Sequence, residues 1–158
     1  MLAGDGEHGA EVFAGATSEK QAFEVFRPAR AMAQRTPRMC RRFSLDLGAK
    51  SIISVENGSR FEPLIGKPGD GASPSCAIID EYHEHPDDSL VETMRTGMSA
   101  RDEPLLLMIS TAGDNIGGPC YQAMLDARHV LEPVAVDHAL AELHVEGPGV
   151  AEEGRAHQ

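Results

Sequence analysis

The chain has no tryptophan, two tyrosines and five phenylalanines among 158 residues, so Ile, Leu, Val, Met and Ala must fill its interior. No apolar run approaches the roughly 20 residues of a bilayer-spanning helix. Met1-Leu2-Ala3-Gly4-Asp5 has neither the basic nor the apolar region of a secretory leader. The expectation is a soluble protein of the cytosol. Three cysteines, Cys40, Cys76 and Cys120, are far apart and odd in number, which supports neither a disulfide framework nor a zinc ribbon. They read as reduced, mostly buried thiols. Basic residues are also scarce, and a net charge of -11 argues against a surface that cradles nucleic acid throughout. The basic charge present is gathered in Arg27, Arg30, Arg35, Arg38, Arg41 and Arg42, a segment with no acid. Such a block suits contact with phosphates or an acidic neighbour, and equally a solvated helix face followed by a basic loop. A last absence is Gly-x-x-x-x-Gly-Lys-Ser/Thr: Lys67 is followed by Pro68, and Lys50-Ser51 is preceded by Ala49. These residues contain no phosphate-cradling loop of that form.

What is present centres on Cys76-Ala77-Ile78-Ile79-Asp80-Glu81, a short apolar run ending in adjacent carboxylates. The run fits a fully covered parallel strand, though periodicity alone does not separate it from buried helix. In open α/β sheets ligands bind at the carboxyl ends of strands, and in P-loop NTPases an acid there holds Mg²⁺ while the next orients water. The plainer alternative is that Asp80 and Glu81 begin a polar loop. Leu105-Leu106-Leu107-Met108-Ile109 is the most apolar run and reads as a second buried strand, opening into Ser110-Thr111-Ala112-Gly113-Asp114. Its hydroxyls suit a γ-phosphate or an attacking water, or else only the turn's own backbone.

Around these two strands the remaining pieces fall into place. Glu11 to Ala16 reads as a first strand, and Ser18 with Gln21 has capping-box spacing for a helix carrying Ala22, Phe26, Ala29 and Ala33 inward. Pro28 is expected to kink that helix and Pro37 to lie beyond its end. Phe43 to Leu47, Ser51 to Val55 and Arg60 to Pro63 read as short strands at a sheet edge, with Asn57-Gly58 as a turn. Gly66 to Ser75 reads as a loop. His83 and His85 flank Glu84 among acids, a composition that suits a metal, but alternate residues on an extended loop lack the H-E-x-x-H spacing. Asp87 or Asp88 is expected to cap a helix that buries Leu90, Val91 and Met94 and ends at Gly97. A helix from Pro119 presents Tyr121, Met124, Leu125 and Val130. A separate helix follows Pro133 to Leu143, and a disordered tail runs from Gly147 to Gln158.

Together Glu11 to Thr17 with Gln21-Ala22, Ala77 to His85, Thr96-Gly97-Met98-Ser99-Ala100-Arg101 and Leu105 to Gly113 resemble the ATPase domain of the large terminase subunit of tailed bacteriophages. The likeness runs from about Leu2 to Gln122, and its motifs are specific in combination. It implies an α/β fold: a three-layer, P-loop NTPase-like sheet of the ASCE type, mostly parallel and flanked by helices, incomplete here because the P-loop strand is missing. It also implies a motor that uses ATP and Mg²⁺ to drive viral double-stranded DNA into a capsid in the host cytoplasm, with a portal protein, a small terminase subunit and further copies of itself as partners. Residue by residue, the resemblance makes Asp80 the magnesium acid and Glu81 the catalytic carboxylate. It makes Ser110, Thr111, Ala112 and Gly113 the coupling motif that senses γ-phosphate, and gives Arg101 a supporting role.

The expected organisation is a partial ATPase domain over 1–122 lacking Walker A, a helical extension over 123–146 and a tail over 147–158, with the family's nuclease domain absent. Magnesium alone does not replace a phosphate cradle, so weak or no ATP binding by these residues is expected. Without the P-loop strand, Leu105 to Ile109 should be left partly unpaired, an apolar edge that invites another chain. The alternatives are a non-catalytic piece docking by that edge on a P-loop-bearing partner, and a small metal-dependent hydrolase using His83, His85 and nearby acids.

Overall fold

The computed structural model describes residues 2–4, 6–65 and 72–143. Its strands are β1 (Glu11–Ala16), β2 (Leu45–Leu47), β3 (Ile52–Ser54), β4 (Arg60–Ile65), β5 (Cys76–Ile79) and β6 (Leu105–Met108). Its helices are α1 (Glu19–Gln34), α2 (Pro37–Arg42), α3 (Ser89–Gly97) and α4 (Pro119–Leu143), with 3₁₀ turns at Tyr82–Glu84 and Met98–Ala100. The strands form one mixed sheet in the order β2-β3-β4-β1-β5-β6. β1 pairs in parallel with β4 and β5, and β5 with β6. β2, β3 and β4 meander antiparallel at the far edge, where the short β-like runs had been expected.

Alternation along β1 decides what each face receives, because successive side chains point to opposite sides of a sheet. Val12 and Ala14 join Phe26 of α1, Ile52, Phe61 and Cys76 in one buried cluster. Phe26 is fully buried, its ring 5.4 Å from that of Phe61 and 5.7 Å from that of Phe23. On the opposite face Gly15 leaves no room for a side chain: a Cβ there would lie 2.9 Å from Ile79 Cδ1 and 3.1 Å from Leu90 Cδ2 of α3. Helices therefore flank both faces. Leu90, Val91 and Met94 are buried on α3, and burial pushes the Cys76 thiol up, which keeps it protonated and inert.

The start of α1 follows its sequence closely. Ser18 Oγ accepts from the Gln21 N–H at 3.3 Å, and Gln21 Oε1 accepts from the Ser18 and Thr17 hydroxyls at 2.9 and 2.6 Å. α1 runs unbroken through Pro28. Pro37 does not lie in a basic loop; it stands at the start of α2, where its missing N–H costs nothing because the first helical donors have no partner in any case. Five arginines of the basic block lie on α1 and α2, Arg35 caps the end of α1, and three of the six have local side-chain contacts. Arg27 lies over the Phe23 ring, Arg30 Nε donates to the Gly48 carbonyl at 2.6 Å, and Arg42 lies over Phe43.

Three further expectations are corrected. β6 is not buried: Leu105, Leu107, Met108 and Ile109 are 38–45% exposed, and no described strand pairs with its outer edge. The two C-terminal helices are one, since α4 continues through Pro133; a proline forfeits one backbone bond without obliging the helix to end. Of the cysteines only Cys76 is buried, with Cys40 and Cys120 half-buried and all three free. Most of the loop from Gly66 and the tail from Gly147 lie outside the described residues. By its internal contacts the chain divides into two compact units, Met1–Gln122 and Ala123–Gln158. Among the described residues no helix is long and apolar enough to cross a membrane.

Candidate functional site

Because β1, β5 and β6 are parallel, their carboxyl ends lie along one edge of the sheet, and the register Ile79↔Met108 brings the segments after β5 and β6 side by side. The ladder carries one residue beyond β5 on each side: Asp80 N–H donates to the Gly15 carbonyl at 3.0 Å, and Ile109 N–H to the Ile79 carbonyl at 2.8 Å. Asp80 is thereby fixed at the mouth of the edge. Its backbone carbonyl lies 3.3 Å from Nε2 of the buried His85, whose ring packs on Tyr82. Among the described residues no hydrogen bond or ion pair engages the Asp80 carboxylate, which is half-buried and open to a ligand.

Glu81 reverses the chain in a left-handed conformation, φ 48°. A non-glycine residue in such a conformation costs on the order of 1–3 kcal/mol unless its surroundings impose it. Here the imposing contacts are visible. Tyr82 N–H donates to the Ile109 carbonyl at 3.0 Å and His83 N–H to Ser110 Oγ at 3.0 Å, so the turn after β5 is stitched to the turn after β6. Burial, and then the Asp88 charge, pushes the Tyr82 phenol up.

His83 occupies the centre of the cluster. Its Nδ1 lies 3.2 Å from Ser110 Oγ, 3.3 Å from Glu81 Oε2 and 3.4 Å from Thr111 Oγ1. Gly113 completes the enclosure with φ 59°, and a Cβ there would stand 2.8 Å from His83 Cβ, so only glycine fits. Asp80, Glu81, Ser110, Thr111 and Gly113, all singled out from the sequence, are brought to one edge, with Ala112 between them in the chain. Beside them stand His83, read from the sequence only as a possible metal ligand, and Thr17 with the pair Gln21 and Glu84, in which the amide of Gln21 donates to the carboxylate of Glu84.

Arg101 is not part of this group. Its Nε donates to the Ser73 carbonyl at 2.8 Å, Nη1 to Glu7 Oε1 at 2.8 Å and Nη2 to the Gly9 carbonyl at 3.1 Å. Those acceptors precede β1 and β5, so Arg101 sits at the opposite edge of the sheet, about 13 Å away at 3.3 Å per strand residue. It ties the amino-terminal segment to the approach of β5. Arg101→Ala is expected to lower stability by about 1–3 kcal/mol, the worth of charged hydrogen bonds partly screened by solvent. Thermal denaturation checks the loss, and amide chemical shifts at Ser110 to Gly113 should stay in place.

The two histidines of the loop do not converge either. His83 faces the hydroxyl turn, whereas His85 is buried against Tyr82 and the Asp80 carbonyl. Among the described residues no three His, Cys, Asp or Glu side chains are placed to hold a metal ion. The donor set of the edge, one open carboxylate beside hydroxyls, instead fits a hard cation such as Mg²⁺ that takes few protein ligands and fills its shell with water and phosphate oxygens. A cavity of about 510 Å³ opens beside it at the ends of β1 and β5, lined among others by Thr17, Glu84, His85 and Asp87.

The family model for "Terminase large subunit, ATPase domain" matches residues 1–128. Protein YmfN of Escherichia coli (strain K12) is 62% identical over 55 residues, covering 35% of this chain and 12% of that protein. The large terminase subunit of Enterobacteria phage HK97 is 30% identical over 109 residues, 66% of this chain and 22% of its own length. The crystal structure of the HK97 bacteriophage large terminase matches with a TM-score of 0.69 at 27% identity, over 84% of this chain and 29% of that one. The matched part thus spans less than a third of each of these relatives.

Proposed function

Since the chain belongs to the terminase large subunit ATPase-domain family, we propose that the edge bearing Asp80, Glu81 and Ser110 to Gly113 is the carboxylate and coupling half of an ATP-hydrolysing site in a viral DNA-packaging motor. The observation that carries this reading is the parallel pairing of β5 with β6, which sets the two acids beside the hydroxyl turn. In this reading the sheet is the P-loop NTPase kind, and residues 1–122 are the part of the ATPase domain that follows the P-loop. Asp80 holds Mg²⁺ and Glu81 orients the attacking water. Ser110, Thr111, Ala112 and Gly113 read the γ-phosphate and pass its loss to movement of double-stranded DNA. When bound, Mg²⁺ neutralises phosphate charge; the chain's own part is to hold the carboxylates and hydroxyls in place before nucleotide arrives. Arg101 is left out of the site and acts on stability. A portal protein, a small terminase subunit and further copies of the chain are the partners that this role requires.

The cradle for the β- and γ-phosphates has to come from elsewhere, because these residues contain no Gly-x-x-x-x-Gly-Lys-Ser/Thr. Calorimetric titration of Mg-ATP into the 158-residue chain is therefore expected to show binding weaker than about 1 mM, less than roughly 4 kcal/mol. With a polypeptide carrying the P-loop strand supplied, turnover should appear. Glu81→Gln should then lower kcat about 10²–10⁴-fold, the usual worth of a positioned proton-transfer group. Micromolar binding with turnover by the chain alone would overturn the half-site reading, and unchanged kcat in the variant would overturn the role of Glu81.

A second reading is favoured by the outer edge of β6. Four large apolar side chains stand 38–45% exposed there. Such an edge suits a non-catalytic piece that docks by strand addition on a P-loop-bearing polypeptide. The two readings part on turnover: both give a complex, and only the first gives one that hydrolyses ATP through Glu81.

A further inference from the structure

Three features lie outside the roles given so far: the cavity beside Thr17, the exposed arginines of α1 and α2, and His83. Among the described residues the cavity has no buried polar side chain left without a partner to mark a ligand, and the arginines are a helix surface. His83 is different, because each of its contacts joins segments with assigned roles.

We infer that His83 is a positioning residue that exchanges one hydrogen-bonding nitrogen between the Glu81 carboxylate and the Thr111 hydroxyl, so that gripping one releases the other. The inference rests on the roles proposed for Glu81 and the Ser110 to Gly113 turn. Its basis is arithmetic on one atom. An imidazole nitrogen carries either one hydrogen or one lone pair, so it is a donor or an acceptor at any moment, never both. Nδ1 of His83 faces a carboxylate oxygen at 3.3 Å, which only accepts, and the Thr111 hydroxyl at 3.4 Å.

When Nδ1 carries the proton it donates to Glu81 and holds that carboxylate in place. When the proton is on Nε2 instead, the bare Nδ1 repels the carboxylate and accepts from the Thr111 hydroxyl. Ser110, 3.2 Å from Nδ1, does not compete as a donor, because its hydroxyl donates to the Thr111 carbonyl at 2.9 Å, nor as a free acceptor, because its oxygen accepts from the His83 N–H at 3.0 Å and the Cys120 thiol at 3.3 Å. That backbone bond anchors His83 while its ring changes partner. Gly113 lets the turn come close on the other side, since a Cβ there would stand 2.8 Å from His83 Cβ. The 3.2–3.4 Å contacts, longer than a settled N–H···O bond, suit a nitrogen placed between partners.

The test uses the full chain without nucleotide. The tautomer of His83 is read from its ring ¹⁵N shifts, and the turn from the backbone amides of Ser110 to Gly113. Glu81→Ala is expected to move the proton from Nδ1 to Nε2 and to shift the Thr111 and Gly113 amides. The same substitution in a His83→Ala background should leave those amides where His83→Ala alone puts them, and a His83→Asn background should restore part of the response. An unchanged tautomer overturns the exchange, as does an amide response of equal size with and without His83. Should His83→Ala fail to fold, the tautomer in the otherwise native chain still decides. Because no nucleotide enters, failure of Mg-ATP to bind beside a P-loop partner would overturn the ATPase reading and leave this result standing, and the reverse holds too.

Discussion

Phe26→Ala is expected to destabilise the chain by about 3–5 kcal/mol, the usual cost of emptying a buried aromatic site. At roughly 2–4 °C per kcal/mol for a chain of this size, the melting midpoint should fall by about 6–20 °C. The expectation comes from where the ring sits. Phe26 is fully buried at the junction of α1 with β4 and β1, touching Phe23 edge-on and Phe61 of β4. Its two ring neighbours, Phe23 and Phe61, are carried on α1 and β4, whose backbones hold them in place. The contacts left behind are with Val12, Ala14, Ile52 and Cys76, small or stiff side chains on strands that the ladder holds in register. Collapse is therefore incomplete and the cavity stays. Circular dichroism against temperature gives the number, with Phe23→Ala, at the rim of the same cluster, as the milder comparison. A loss below about 1 kcal/mol would mean that α1 carries little of the stability and that the sheet stands without it.

The same reasoning explains which parts of the fold were legible in the sequence. β1 and β5 are short apolar runs with turn residues beyond them, and the strength of that signal comes from burial on a sheet, so their positions were readable; β6 was readable by the same apolar pattern although its side chains are exposed. The start of α1 was readable because Ser18 and Gln21 answer one another locally. α2 was not, because Thr36-Pro37 is both a stop signal for one helix and a start signal for the next, and its arginines give no apolar periodicity. Pro133 misled in the same way: a proline was weighed as a helix boundary although the cost is a single backbone bond.

The site divides along similar lines. Asp80 and Glu81 follow β5, and Ser110 and Thr111 follow β6, so parallel pairing alone carries them to one edge. Arg101 precedes β6, and the same pairing carries it to the other edge; its distance along the chain from Leu105 held the answer, and the resemblance obscured it. His83 is another matter. Its partner Ser110 lies 27 residues away, and their meeting depends on the register of two strands and on the left-handed turn at Glu81, neither of which leaves a mark in composition or spacing.

Leu107→Lys is expected to weaken self-association of the chain by about ten- to a hundredfold, the worth of one buried leucine, about 1.5–3 kcal/mol. A parallel sheet is ordinarily covered on both faces and closed by neighbours at its edges. β6 departs from this: Leu105, Leu107, Met108 and Ile109 are all between 38 and 45% exposed, and its outer backbone groups have no described strand to pair with. At the opposite edge β2 shows the usual protection, a three-residue strand bearing Asp46. β6 carries no charge, no proline and no bulge, so two copies meeting edge to edge would lengthen the sheet and bury leucines at once. A lysine at 107 puts a solvated ammonium where that contact would form and leaves the inner pairing with β5 intact. Sedimentation over a range of concentrations measures the change. If the variant associates as strongly as the parent, the contact lies elsewhere and the open edge is not what holds copies together. If instead a polypeptide carrying the P-loop strand displaces the self-contact in the parent and binds the variant more weakly, the partner and the second copy compete for one edge. In that case the surface that makes the chain associate with itself is the surface through which the nucleotide site is completed.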